Sequence, residues 1–158
     1  MKHVDDGFEL NWSFTWGYFQ PLPKDEKPNY EIPFDEDRKR REKSEVQNLK
    51  AKVTITENDG VFSLGFFVDG TEQVPLAIEL AFRNEGDVSG VEKVAGDEKV
   101  FLLKEDSGVY RVEEDKITFG PGQAIHEWTN IRGALPRPDG QCVYLTGFTP
   151  FKHRIQFQ

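Results

Sequence analysis

Between Phe8 and Tyr18 every second residue is large and apolar: Phe8, Leu10, Trp12, Phe14, Trp16 and Tyr18 alternate with Glu9, Asn11, Ser13, Thr15 and Gly17. Alternate residues of an extended chain point to opposite faces, whereas a helix would scatter this pattern around its axis, so the stretch reads as a strand with one aromatic face. Such a face is either covered by a second layer or left open for something flat to stack on. Cover is the expectation for Phe8, Leu10, Phe14 and most of the strip, because a bare apolar patch of this size promotes association. Trp16 and Tyr18, at the end nearest a proline-rich segment, are the two side chains expected to reach solvent.

The same two-residue beat returns from Leu49 onward. Ala51, Val53 and Ile55 alternate with lysines and threonines, and Phe62, Leu64, Phe66 and Val68 alternate again after Asn58-Asp59-Gly60. An Asp-Gly pair between two alternating runs predicts a tight hairpin, since such turns need positive φ and glycine adopts it without strain. Asp69-Gly70 predicts another turn, leading into Val74, Leu76, Ile78, Leu80 and Phe82; the Ala, Leu and Glu content there also suits a helix, but alternation fits better. Shorter strands are expected around 88–94, 100–104, 109–112, 116–119, 124–131 and 142–147, with a last one carrying Phe151, His153, Ile155 and Phe157 inward and Lys152, Arg154 and Gln156 outward. Many short strands separated by turn signals, with almost no helix, predict an all-β fold: an antiparallel β-sandwich, jelly-roll-like, of about ten strands. No self-similar period marks a propeller or solenoid.

At 158 residues the chain suits one domain, 1–158, able to hide about 70 per cent of its unfolded surface. Thirteen phenylalanines, four tyrosines and three tryptophans supply large core side chains to a chain that is only 37% hydrophobic. Residues 20–47 break the pattern. Pro21, Pro23, Pro28 and Pro33 bar a regular strand, and the charge run from Asp35 to Glu45 has no apolar face, so a long surface excursion with one or two helical turns is expected. The single cysteine, Cys142, has no disulfide partner within the chain and reads as a small buried apolar residue.

Twenty-eight acidic against 20 basic side chains give a net charge of −8, which repels a phosphate backbone and argues against nucleic acid as a partner. No apolar run approaches a membrane span and no signal-peptide core follows Met1-Lys2-His3, so no membrane partner is expected. The compartment stays open between a cytosolic protein and a domain excised from an exported one.

Three stretches bear on chemistry. Trp16 and Tyr18 can stack on the CH faces of sugar rings, whose hydroxyls take hydrogen bonds from polar neighbours. In ITFGPGQAIHEWTN, Pro121, His126 and Asn130 have the spacing of the second cupin motif, so the stretch resembles a cupin metal strand, with glycine at 122 where that family has it one position later. The first cupin motif has no counterpart, and the other histidines are His3 and His153; the plainer reading is a hydrogen-bonded His126 beside Trp128 on a half-buried strand, with no metal and no cofactor. Arg38-Lys39-Arg40-Arg41 could receive an anion, but Asp35, Glu36, Asp37, Glu42 and Glu45 nearly neutralise it. Among the serines Ser13, Ser44, Ser63, Ser89 and Ser107 none sits in a G-x-S-x-G setting. Glu79 and Glu127 are the carboxylates placed to be considered for acid–base work, and each reads first as a solvent-facing strand residue.

VPLAIELAF, ITFGPGQAIHEW, RGALP and VYLTGFTPF together resemble the β-sandwich modules attached to heparinase II/III-like enzymes, over the region from about Leu49 onward. The resemblance implies a non-catalytic accessory sandwich that touches a polysaccharide or braces a larger catalytic chain, and it transfers no catalytic residue. The expectation is therefore a carbohydrate-binding or accessory domain, not an enzyme, with Trp16, Tyr18, Trp128, His126 and Asn130 as ligand-binding candidates. The alternatives are a metal-dependent cupin-like or small β-barrel enzyme, or an oligomeric β-protein assembled through its aromatic strand.

Overall fold

The alternating runs form two layers of sheet in a computed structural model of the chain, which describes residues 1–4, 7–131 and 136–158. The strands are β1 (Lys2–Val4), β2 (Gly7–Phe19), β3 (Lys43–Asn58), β4 (Val61–Gly70), β5 (Pro75–Phe82), β6 (Asp87–Ser89), β7 (Glu92–Lys93), β8 (Val100–Leu102), β9 (Gly108–Val112), β10 (Asp115–Gly120), β11 (Gln141–Phe148) and β12 (Phe151–Phe157). Eight pair in the order β1-β2-β3-β4-β12-β10-β9-β6, and four in the order β5-β11-β8-β7. The fold is an all-β sandwich of antiparallel character, with one parallel pair, β8 with β11.

The hairpin between β3 and β4 forms at Asp59-Gly60, where Asn58 pairs with Val61 and both turn residues have positive φ, 49° and 79°. That is the geometry a two-residue turn imposes on twisted strands. The β9–β10 turn is equally tight but is made by Glu113-Glu114, with Glu113 at φ 51° and no glycine to announce it. Asp69-Gly70 does not make a hairpin: β4 pairs with β3 and β12, and the chain crosses to the other layer before β5 begins. The segment from Pro75 to Phe82 is a strand in spite of its helix-forming residues, because Leu76, Ile78, Leu80 and Phe82 all pack toward the core on one face.

That core lies between the layers. Phe66 and Val68 from β4, Phe119 from β10 and Phe151 and Ile155 from β12 meet Leu80 from β5 and Val143 and Leu145 from β11. A smaller cluster on the far side of the four-stranded sheet gathers Val100, Leu102, Cys142 and Tyr144, so β11 is buried on both faces and Cys142 is buried as expected.

Three expected elements take another form. The strand expected over 88–94 is divided, β6 pairing in the large sheet and β7 in the small one. Residues 124–131 make no strand: Ala124 forms a single bridge to Thr146, and the chain then turns away because the Thr146 hydroxyl accepts from the backbone N–H groups of Ile125 and His126. The excursion is shorter than residues 20–47, since β3 already begins at Lys43. It carries one helical turn (α1, Phe34–Asp37) followed by a 3-10 turn at Arg38–Arg40. Buried Asp37 ties it together, accepting from Asn29 N–H at 3.1 Å and Arg40 at 2.8 Å, and Arg40 also reaches Glu26 at 2.6 Å. These bonds hold the Asp37 carboxyl below its ordinary range, the Asn29 amide contributing most. In RGALP, Arg132–Leu135 lie outside the described residues. No helix among the described residues is long and apolar enough to cross a membrane.

Candidate functional site

The aromatic strip of β2 lies on the core-facing side of the large sheet but beyond the reach of the small one. Its partners across β3 are Ile55 for Phe8, Val53 for Leu10, Ala51 for Trp12, Leu49 for Phe14 and Gln47 for Trp16. Phe8 and Leu10 are half-buried, whereas Trp12 and Trp16 are each 41% exposed, Phe14 52% and Tyr18 64%. The expectation of a covering sheet therefore fails for Phe14 and for Trp12, and the solvent access expected of Trp16 and Tyr18 is present. The physical reason is width: a sheet of four strands cannot cover one of eight, and β2 is next to the outermost strand. The result is a ledge of four aromatic side chains, the ring-bearing positions about 7 Å apart along the strand.

Polar groups flank the ledge. Gln47 stands opposite Trp16, and Ser44, opposite Tyr18, accepts from the Gln20 side chain. The pairing slips by one residue between Trp16 and Tyr18, where Glu45 takes positive φ. At the same end the cations of Arg38 and Lys43 lie over the Phe19 ring at 5.3 Å and 5.0 Å.

His126 and Trp128 form a second group, beside β11 of the small sheet. The His126 ring is 5.1 Å from both Trp128 and Phe148, and Trp128 is 64% exposed. Both ring nitrogens are engaged. Nδ1 accepts from the Trp128 backbone N–H at 3.2 Å, so the proton sits on Nε2, which donates to Gly147 O at 3.0 Å. A metal ligand needs one nitrogen with a lone pair to spare, and this arrangement leaves none. Asn130 is exposed two residues on. The candidates thus fall into two groups, Trp16 with Tyr18 on β2 and His126 with Trp128 on the other layer.

The histidines do not converge. His3 packs on Phe8 at the β1–β2 edge, while His153 on β12 bonds Pro121 O at 2.8 Å. β1 and β12 are four strand spacings apart, roughly 20 Å. Among the described residues no group of three or more His, Cys, Asp or Glu side chains is placed to hold a metal ion. Glu79 is not the solvent-facing residue expected: it accepts from the Tyr144 hydroxyl at 2.6 Å, and burial first, then this bond, raises the Tyr144 pKa. Glu127 is exposed as expected, but on a loop and not on a strand. Within the Arg38–Arg41 run, Arg38 pairs with Asp35 at 3.0 Å and Arg40 with Asp37 and Glu26, whereas Lys39 and Arg41 have no ion pair among the described residues.

Sequence reasoning missed Trp12 and Phe14 as exposed groups. Their identity and spacing are those of core residues, and nothing local distinguishes them from Phe8. Compared with family models, curated proteins and solved structures, the chain finds no match.

Proposed function

We propose that the chain is a non-catalytic binding module that takes carbohydrate on the aromatic ledge of β2. The observation that supports this is the uncovered alternation of Trp12, Phe14, Trp16 and Tyr18. Aromatic faces set at regular intervals along a rigid strand offer successive stacking surfaces to the CH faces of successive sugars, and the Gln47 amide and Ser44 hydroxyl lie beside them for the ring hydroxyls. Because strand pairing fixes the backbone that carries the rings, little backbone entropy is lost on binding. Retention on a panel of immobilised polysaccharides tests the reading: Trp16→Ala and Tyr18→Ala each lower retention at least tenfold with an unchanged melting temperature. Retention that stays the same in both variants removes the ledge as the platform.

A second reading has its own support. β1 pairs only with Gly7–Glu9, and among the described residues no strand pairs with the outer edge of β2 beyond Glu9. From Leu10 to Phe19 that edge carries no charged residue and no proline, the usual guards of an open edge. A second copy pairing edge to edge would satisfy the backbone and leave the aromatic face open. Sedimentation at several concentrations tests it, and a strict monomer removes it.

A further inference from the structure

The outer face of the large sheet, on the side away from the core, has a depression of about 680 Å³ where β3, β4 and β12 pair. Gly65 lies in its floor, a strand residue with no side chain to stand up into the depression, and the Thr54 side chain leans over that position: a Cβ on Gly65 would meet Thr54 Oγ1 at 2.6 Å. In register, Gly65 lies between Thr54 and Arg154; in the next row Phe67 lies between Lys52 and Lys152. Phe67 is the exception on this polar face, an aromatic ring 45% exposed where its strand otherwise turns Ser63 and Asp69 outward.

The charge around this ring runs against the character of the chain. Lys52 is paired with Glu9 at 2.9 Å, but Lys50, Lys152 and Arg154 have no ion pair among the described residues. Among β2, β3, β4 and β12 the acids on this face are Glu9, already engaged, and Asp69, which stands opposite Lys50; Asp87 shares the face only at its far edge, on β6. In a molecule of net charge −8, three unmatched cations beside an apolar ring concentrate positive potential at one place. Lys152 and Arg154 are about 7 Å apart along β12, and β3 lies about 10 Å from β12, so the frame has the dimensions of one or two rings.

We propose that this depression binds a ligand in which a ring carries an acidic group. The ring stacks on Phe67 over the Gly65 floor, its hydroxyls reach Thr54, and its carboxylate, sulfate or phosphate is held by Lys152 and the planar fork of Arg154. The exposed phenylalanine selects a ring over a bare anion. The small number of cations, inside a net negative chain and flanked by Glu9 and Asp69, selects one acidic group over a long polyanion. The site lies on the opposite side of the sheet from the aromatic ledge, so neither depends on the other.

Titration of the full chain by heteronuclear NMR or calorimetry tests this with galacturonate and galactose, adenosine 5′-monophosphate and adenosine, and inorganic phosphate. One acidic ring compound is expected to bind at least tenfold more tightly than its neutral counterpart and than phosphate, and which of the two it is identifies the ring. Lys152→Gln with Arg154→Gln, both exposed, is expected to weaken that binding at least tenfold without moving the melting temperature, and Phe67→Thr to weaken it severalfold; Trp16→Ala leaves it unchanged. The proposal is overturned by equal binding of acidic and neutral partners, by phosphate binding as tightly as the ring compounds, by no binding at millimolar concentration, or by the Lys152/Arg154 double variant behaving as the wild type.

Discussion

β2 and β11 carry the same kind of message and meet opposite fates. β2 has the heaviest apolar side chains in the molecule, and three of them are tryptophan or phenylalanine at 41% exposure or more. β11 is built from Cys142, Val143, Tyr144, Leu145 and Thr146, and none of these exceeds 1%. The difference is position. β11 is interior to the small sheet, packed against β4 and β12 on one face and a second apolar cluster on the other, whereas β2 projects past the small sheet's edge. Side-chain size determines how much is gained by covering a residue, and the layer opposite determines whether it is covered.

The largest test of that contrast is Leu145→Ala, expected to cost about 2–5 kcal/mol in urea unfolding because a fully enclosed leucine leaves a cavity behind. A loss under about 1 kcal/mol would mean that β11 is not enclosed on both faces.

Tyr144→Phe comes next. It deletes the donor to Glu79 Oε2 and is expected to cost about 1–3 kcal/mol at neutral pH. With the folded pKa raised above the ordinary 10, the hydroxyl's contribution is complete below pH 10 and is lost as pH rises beyond it, since the unfolded tyrosine ionises first. The stability gap between wild type and Tyr144→Phe therefore narrows above pH 10, as urea midpoints across alkaline pH would record; a gap that widens contradicts the buried hydrogen bond.

On the ledge the expectation reverses. Phe14→Ser is expected to change stability by no more than about 1 kcal/mol, far less than the smaller Leu145 truncation, despite removing a larger ring. A cost near that of Leu145→Ala would show that the ledge is covered in solution, by a second copy or by another part of the molecule.

The smallest effect concerns the excursion at the end of β2. The Asp37 carboxyl is held below its ordinary 3.8, so its contribution is complete above that pH and disappears as pH falls through the lowered folded value. Amide exchange around Asn29 and Arg40 should accelerate in that acid window while the core amides of β11 stay protected. Asp37→Asn should weaken the protection at neutral pH already, and equal exchange in wild type and variant would mean that the carboxylate does not organise the loop.

Much of the secondary structure was legible because its signal is local. Alternation marked β2, β3, β4, β5 and β12, and Asp59-Gly60 marked the hairpin through the φ values that turn requires. Where a tertiary contact intervened, local reading erred: Thr146 captures the backbone of Ile125 and His126, so the strand expected over 124–131 becomes a loop, and Glu113 enters positive φ without being glycine because the flanking strands hold it there. Of the candidate site, Trp16 and Tyr18 were found through their nearness to the proline segment. Phe67 was not singled out, although its place beside Phe66 sets an apolar ring on the polar beat of its strand.

The amino-acid order alone determined that this chain is made of strands with one apolar face each, since a two-residue period is a property of the extended backbone and needs no partner to be read. Only the tertiary structure decided which of those faces are closed. A sheet of four strands laid on a sheet of eight must leave part of the wider one bare, and which strands lie under it depends on pairing between residues far apart in the chain, such as Cys142 beside Val100 and Phe157 beside Phe62.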